Sequence, residues 1–216
     1  MPILLLIRHG VTETTGKRLT APDLTLSERG REQAATLAER LRGLPIAAIY
    51  SSPLLRCRQT VSPLAEAAGL EVRPLDALRD TEYGEWSGRS LRQVGKTKLW
   101  QALRARPSSV RFPGGETLPE VQARTVAAMD AVVTAHPRGM VAVVSHADVI
   151  RLAVMHFVGL HVDFIERVVV GPASVSAVSV GQGTPRLLAL NWGPDLRELA
   201  PPRKPRQKRA PRKVGG

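Results

Sequence analysis

Three short apolar segments of the sequence, at 3–7, 46–50 and 140–144, each end in polar residues that could do phosphate chemistry. The polar residues that follow them are, in order, Arg8-His9-Gly10, Ser51-Ser52 and Ser145-His146. Arginine side chains match phosphate oxygens bidentately. A histidine beside a bound phosphate can act as a nucleophile, which splits hydrolysis into transfer to nitrogen and then to water.

These residues indicate a functional site only as a set, because a single histidine or arginine at a strand end usually has a structural role. In an open parallel sheet, ligands bind beyond the carboxyl ends of the strands. Arg8, His9, Arg56 and His146 would therefore converge on one anion pocket. A helix that begins after the third segment would add backbone N–H donors, and Gly10 would let a phosphate approach the main chain closely.

The elements that must position this set alternate between strands and helices. Apolar runs without polar alternation are typical of parallel strands covered on both faces. Apolar residues recur at helical spacing in 34–41, 121–132 and 150–157, and a further helix is predicted from 55 to 68. Ser27, Gly69 and a Thr117/Glu120 capping box mark helix ends, while Pro63 should bend or interrupt its helix.

This alternation predicts an α/β fold, with three α/β/α layers around a mostly parallel central sheet. Late strands are expected at 168–170, 175–180 and 187–191. The glycine-rich stretch 79–116 is predicted to be an inserted segment that covers the site, with one helix near 90–104. We expect one domain over 1–199 and a basic, disordered tail over 200–216.

Six ordered blocks of the sequence resemble the histidine phosphatase superfamily, which includes the phosphoglycerate mutases. The blocks are LLLIRHGVTETT at 4–15, LTLSERGREQA at 24–34, YSSPLLRCRQT at 50–60, LRDTEYGEWSG at 78–88, FPGGET at 112–117 and VVSHADVIR at 143–151. One R-H-G triplet would be weak evidence, but six blocks in the family's order over about residues 3–192 are strong. The resemblance implies a phosphoglycerate mutase-like fold.

The resemblance also implies a role for each member of the predicted set. His9 matches the histidine that becomes phosphorylated, and Arg8 matches the phosphate-binding arginine beside it. Arg56 matches the second phosphate arginine. His146 matches the second histidine, which binds the phosphoryl oxygens and stabilises charge in the transition state.

The general acid departs from the family's pattern. The family places a glutamate three residues before the aromatic of an aromatic-glycine pair, and counting back from Tyr83 gives Asp80, one methylene shorter. Asp80 is the predicted acid and Glu82 the alternative. The acid must carry a proton when the leaving oxygen departs, which burial would favour.

Three further positions are predicted to contact the substrate. Gly10 follows the nucleophile. Thr15 stands where family members often have asparagine, which makes mutase-like substrate handling doubtful. Ala147 replaces the family's usual glycine after the second histidine and keeps the backbone donor.

The net charge of +12 first suggests a polyanionic partner such as nucleic acid. The stretch 201–216 carries seven cations and no acid, so more than half of that charge belongs to the predicted tail. A solvated appendage is one interpretation of this tail, and salt-sensitive contact with nucleic acid is the other.

Composition limits the class of protein further. One cysteine, Cys57, excludes an internal disulfide framework, and a buried helical thiol is expected there. No apolar run is long enough to span a membrane, and the N-terminus does not look like a secretory signal. We therefore expect a cytoplasmic protein without a membrane partner.

The function predicted from the sequence is hydrolysis of a small phosphorylated metabolite through a phosphohistidine on His9, with no metal or other cofactor. One alternative is a phosphomutase of the phosphoglycerate type, and the other is a non-catalytic protein that binds anions or nucleic acid through its tail. The resemblance also allows a homodimer.

Overall fold

The computed structural model describes residues 1–19, 24–181 and 183–193. Its centre is a six-stranded sheet in the order β3-β2-β4-β1-β5-β6. The strands are β1 Ile3–Arg8, β2 Ile46–Ser51, β3 Val72–Pro74, β4 Met140–Ser145, β5 Val175–Ser179 and β6 Arg186–Trp192. Strands β1 to β4 run parallel, while β5 and β6 are antiparallel at one side. The predicted mostly parallel sheet is confirmed.

Helices cover both faces of the sheet and make the three layers. The helices are α1 Glu28–Leu41, α2 Leu55–Ala68, α3 Leu91–Val94, α4 Lys98–Ala105, α5 Leu118–Ala135 and α6 Ala147–Phe157. Side chains of a strand point alternately to its two faces. Leu5 and Ile7 accordingly join the core formed with α1 and α2, and Leu4 and Leu6 join the core formed with α5 and α6.

The register of the central strands brings their carboxyl ends to one edge. Arg8 at the end of β1 pairs with Ser145 at the end of β4. Ser51 at the end of β2 pairs with Val144 of β4. The residues that follow these strands therefore emerge side by side.

Most helix ends lie where the sequence predicts them. The Ser27 side chain accepts from Gly30 N–H at the start of α1, and the Thr117/Glu120 capping box opens α5. Gly69 ends α2 in the left-handed conformation. Pro63, expected to bend or interrupt α2, lies inside a continuous helix, which its buried neighbours Val61 and Leu64 hold against the sheet.

Two local predictions are wrong. Residues 168–170 do not form a strand; Val170 instead turns its carbonyl oxygen to the Arg8 guanidinium, 2.7 Å away. The single helix expected near 90–104 is two short helices, α3 and α4. The second begins separately because the Thr97 side chain accepts from Trp100 N–H.

The segment 79–116 closes on itself through glycines. A Cβ on Gly84 would lie 2.1 Å from the Pro113 carbonyl oxygen, and one on Gly115 would lie 2.0 Å from the Glu82 carbonyl oxygen. Gly84 also has φ +54°, which favours glycine. These close approaches fix the loop around residue 82 against the loop before α5.

The predicted basic tail lies outside the described residues, which end at 193. Within the described ranges, no helix combines the length and the apolar character needed to cross a bilayer.

Candidate active site

The structure brings together Arg8, His9, Arg56 and His146 at the carboxyl edge of the sheet. The ring centroids of His9 and His146 are 5.2 Å apart. Arg56 Nη2 lies 3.2 Å from His146 Nδ1. Arg56 is 0 % exposed, His146 1 % and His9 3 %. Two arginines and two imidazoles therefore lie together, and the two guanidinium groups make this centre positively charged.

His9 is held in one tautomer by the main chain. Its Nδ1 lies 2.7 Å from the Gly10 carbonyl oxygen, which can only accept, so Nδ1 carries the proton. The lone pair is therefore on Nε2. Burial lowers the pKa of His9 well below 6.5, and the neighbouring His146, Arg56 and Arg8 lower it further. A neutral imidazole with a free Nε2 lone pair is the nucleophilic form.

His146 has the opposite tautomer. Arg56 Nη2 can only donate, so His146 Nδ1 accepts and Nε2 carries the proton. Nε2 lies 2.9 Å from Ser52 Oγ, to which it donates. Burial and the nearby guanidinium groups lower the pKa of His146 well below 6.5. Sequence reasoning did not identify Ser52 as the orienting partner, although Ser52 was among the polar residues noted after the second apolar segment.

Arg8 is anchored by a main-chain carbonyl group. Its Nη1 donates to the Val170 carbonyl oxygen at 2.7 Å. Burial lowers the pKa of Arg8, although Asp148 partly offsets the effect. Helix α6 begins at Ala147, so the N–H groups of its first turn face the end where His146 lies. Both features favour an anion between the two histidines.

Asp80 is the carboxylate that joins this cluster. Its Oδ2 lies 2.9 Å from Arg56 Nη2 and 3.5 Å from His146 Nδ1, and its Oδ1 accepts from Thr81 N–H at 3.0 Å. Its side chain is 12 % exposed. Glu82, the alternative acid, has an exposed side chain at the rim. The geometry favours Asp80 over Glu82 as the group that reaches a bound phosphate.

The loop that carries Asp80 is held by Arg124 of α5. This guanidinium donates to the carbonyl oxygens of Ala77, Arg79 and Asp80 at 2.7, 3.0 and 3.0 Å. It also binds both oxygens of the Glu116 carboxylate at 2.7 and 2.9 Å. Sequence reasoning missed this pair. The available signal was an arginine three residues after Val121, on the apolar face of a predicted helix.

A cavity of about 340 Å³ opens beside Asp80. All of its lining residues except Leu54 have polar or charged side chains; they are Leu54, Arg56, Asp76, Arg79, Asp80, Thr81, Glu82, Ser87, Glu116 and Arg124. Since Arg56 and Asp80 belong to both the cavity and the buried cluster, a phosphate ester could place its phosphoryl group in the cluster and its alcohol in the cavity.

A family model described as histidine phosphatase superfamily, branch 1, matches residues 4–193. The chain belongs to the histidine phosphatase superfamily. This confirms the resemblance seen in the sequence, and the predicted α/β architecture agrees with that of solved relatives.

Named relatives of this histidine phosphatase include phosphatases and mutase-like proteins. Phosphoserine phosphatase 1 of Hydrogenobacter thermophilus is 33 % identical over 193 residues, which cover 87 % of this chain and 91 % of that protein. A probable phosphoglycerate mutase of Erwinia tasmaniensis is 29 % identical, covering 87 % and 88 %. A solved mycobacterial glucosyl-3-phosphoglycerate phosphatase in complex with VO3 has TM-score 0.80 and 30 % identity, covering 88 % of this chain and 99 % of that chain.

Of the other predicted substrate contacts, Gly10 of this histidine phosphatase has a different structural explanation. Its N–H donates to Thr60 Oγ1 at 2.9 Å, and a Cβ there would lie 2.8 Å from the Gly30 carbonyl oxygen. The glycine is thus required by packing against α1. Thr15 Oγ1 accepts from Thr12 N–H at 2.9 Å and closes the turn after β1. Its contact with substrate stays a prediction.

The remaining titratable groups near the centre have structural partners. Asp148 accepts from the Tyr83 hydroxyl and from Arg151. Cys57 is buried beneath His146, and burial raises the pKa of its thiol to about 12. In the part of the chain that the structure describes, no three histidine, cysteine or acidic side chains group together as metal ligands.

Proposed function

We propose that the protein is a phosphomonoesterase that hydrolyses a small phosphorylated metabolite through a phosphohistidine on His9. The observation that carries this proposal is the fixed, neutral tautomer of His9, with Nδ1–H on the Gly10 carbonyl oxygen and Nε2 in a pocket shared with Arg8 and Arg56. A protein that only bound anions would gain from a protonated histidine and would not need a neutral one.

In the first step, His9 Nε2 attacks phosphorus, the N–P bond forms and the ester P–O bond breaks. Asp80 donates its proton to the leaving oxygen. The positive charge that develops on the imidazole is stabilised by the hydrogen bond from Nδ1 to Gly10. Arg8 and Arg56 would bind the phosphoryl oxygens and stabilise their charge. His146, whose Nε2–H donates to Ser52, would act by holding Arg56 in place through Nδ1.

In the second step, water attacks phosphorus while Asp80 takes a proton from it. The N–P bond breaks, inorganic phosphate leaves and His9 returns to its neutral form. Arg56 Nη2 donates to Asp80 Oδ2 at 2.9 Å. A phosphoryl group bound to Arg56 would therefore lie next to the Asp80 carboxyl group, which would place that group near the leaving oxygen and the attacking water.

Replacement of His9 tests the proposal. We expect wild-type protein to hydrolyse p-nitrophenyl phosphate and His9→Ala to lose at least about 1,000-fold in kcat, in the range seen when the members of a nucleophilic site are removed. His156→Ala is the matched control, because His156 is exposed on α6 and lies outside the cluster. p-Nitrophenyl phosphate that carries radioactive phosphorus should label the wild-type protein but not His9→Ala, and the label should be stable to alkali and labile to acid, as expected for a phosphohistidine. Full activity in His9→Ala would refute the mechanism.

A phosphomutase is the second candidate, because a probable phosphoglycerate mutase is among the relatives. A mutase must protect its phosphohistidine from water. The cavity beside Asp80 is open at the exposed Glu82, which favours water as the acceptor. The two activities separate in one experiment: isomerisation of phosphoglycerate without release of inorganic phosphate would establish the mutase.

The tail at 201–216 and the cellular location complete the proposal. We propose that the tail lies outside the catalytic domain and contributes nothing to hydrolysis of small substrates, so that any contact with nucleic acid is separate and salt-sensitive. The single cysteine supports a reducing, cytoplasmic compartment. A homodimer is compatible with the proposed function but not required by it, because every proposed catalytic side chain comes from one chain.

A further inference from the structure

The cavity beside Asp80 differs in charge from the phosphate cluster that it adjoins. If the proposed function holds, the cavity receives the alcohol of the substrate, since the phosphoryl group occupies the cluster. Its charged lining, apart from Arg56 and Asp80, consists of two arginines and three acids. These side chains are Asp76, Arg79, Glu82, Glu116 and Arg124.

Both arginines already have carboxylate partners. The Arg124 guanidinium donates to both carboxylate oxygens of Glu116, and its remaining N–H groups donate to three carbonyl oxygens. Arg79 Nε binds Asp76 Oδ1 at 3.0 Å. Arg124 therefore has no donor left for a negatively charged alcohol. An anion that bound the Nη groups of Arg79 would lie beside the Asp76 carboxylate, whose charge would oppose it.

The backbone donors of the cavity are engaged as well. The N–H of Glu82 donates to Glu116, and the N–H of Glu116 donates to the Glu82 carbonyl oxygen. The N–H of Thr81 donates to the Asp80 carboxylate, and that of Arg79 donates to the Asp76 carbonyl oxygen. The main chain around the cavity therefore offers a carboxylate or second phosphate none of these four donors.

Glu82 is the exception in this network. Among the described residues its carboxylate has no hydrogen bond and no ion pair, and it lines the cavity two residues after Asp80. The Ser87 side chain, also exposed in the lining, likewise has no partner there. The cavity thus presents the Glu82 carboxylate and the Ser87 hydroxyl to the leaving alcohol, while Arg79 and Arg124 are each paired with an acid.

We propose that the leaving alcohol of the substrate is neutral or cationic, with an amino alcohol preferred, and that Glu82 recognises its ammonium or hydroxyl donors. Phosphomonoesters whose alcohol carries a carboxylate or a second phosphate are hydrolysed less efficiently. This inference rests on the proposed function, because it assigns the cavity to the alcohol of a phosphomonoester. It gives Glu82 a role in substrate selection that is distinct from acid catalysis.

Three esters with two-carbon alcohols test the charge preference at nearly constant size. They are phosphoethanolamine, 2-hydroxyethyl phosphate and phosphoglycolate, whose alcohols carry a cation, a hydroxyl and a carboxylate. We expect kcat/KM to decrease in that order. An exposed ion pair is worth about 0.2 to 1 kcal/mol, or up to about fivefold. Because attraction at one end of the series adds to repulsion at the other, the two ends should differ by about fivefold. The difference should shrink as ionic strength rises.

Two variants test the two ends of this series, one by its effect on the cationic ester and the other by its effect on the anionic ester. Glu82→Gln should bring phosphoethanolamine and 2-hydroxyethyl phosphate to within about twofold of each other. Asp76→Asn frees Arg79 and should raise kcat/KM for phosphoglycolate about threefold or more relative to 2-hydroxyethyl phosphate. Glu85→Gln is the matched control, since Glu85 is an exposed acid of the same loop outside the lining; it should leave all ratios as in wild type.

The outcomes separate the two proposals. Preference of the wild type for phosphoglycolate would refute the inference while leaving the proposed function intact. An equal loss on all three esters in Glu82→Gln would also refute it, because that result belongs to a general acid. No hydrolysis of these esters or of p-nitrophenyl phosphate by wild type would refute the proposed function itself.

Discussion

Replacement of Arg124 by lysine tests whether the Asp80 loop must be held in place for acid catalysis. Arg124 makes five hydrogen bonds of 2.7 to 3.0 Å, three to carbonyl oxygens of the loop and two to Glu116. Lysine keeps the positive charge but has one nitrogen, which cannot reach both the carboxylate and the three carbonyl groups. The variant therefore keeps the ion pair and releases the loop.

The size of the effect follows from these contacts. The Arg124 side chain is 24 % exposed, and loss of two or three carbonyl partners at about 1 kcal/mol each should lower the free energy of unfolding by about 2 to 3 kcal/mol. A displacement of about 1 Å at a catalytic group can cost about 100-fold in rate. The variant should therefore remain folded while its rate of hydrolysis falls.

Two substrates distinguish a displaced acid from general damage. p-Nitrophenolate leaves without a proton, while an alkoxide needs one from Asp80. We expect kcat/KM of Arg124→Lys to fall about 100-fold for an alkyl phosphate and less than about tenfold for p-nitrophenyl phosphate, the same pattern as in Asp80→Asn. Arg104→Lys is the control, because Arg104 is 62 % exposed in a surface ion pair. An equal fall for both substrates would contradict the reasoning.

Three further predictions concern pH, the thiol and the tail. The free energy of unfolding should decrease as pH falls below about 6.5, by up to about 1.4 kcal/mol per pH unit for each of His9 and His146. The reason is that the pKa values of both histidines are lowered in the native protein, so that only the unfolded chain takes up protons in this range. Urea titrations at several pH values should show that the free energy of unfolding of His9→Gln depends less steeply on pH than that of wild type. Cys57, whose thiol pKa is about 12, should resist iodoacetamide in the native protein and react after unfolding, and fast native labelling would contradict its burial. Deletion of 201–216 should leave kcat and KM for p-nitrophenyl phosphate within about twofold, and a large loss would show that the tail contributes to the site.

The sequence predicts this site well where chemistry follows directly from a strand end. Arg8 and His146 converge because a parallel pairing of β1 with β4 leaves no other arrangement. Local patterns place Arg124 on the apolar face of its helix but cannot reveal what it holds, since the carbonyl groups that it binds lie more than 40 residues away in the 77–80 loop. The same limit explains 168–170, where β-branched residues favour a strand but the Val170 carbonyl group binds Arg8.

In the proposed site, opposite charges lie on the two sides of the Asp80 carboxylate. On the proposed phosphate side, burial lowers the pKa of His9 and the nearby guanidinium groups lower it further, so the groups proposed to bind the phosphoryl oxygens also help to keep the His9 imidazole neutral. On the alcohol side, the cations are neutralised and Glu82 remains without a partner among the described residues. Asp80 lies between them, at 2.9 Å from Arg56. A phosphate ester is asymmetric in the same way, with its negative charge at one end, so this division of charge favours the orientation that puts phosphorus at His9 and the leaving oxygen at Asp80.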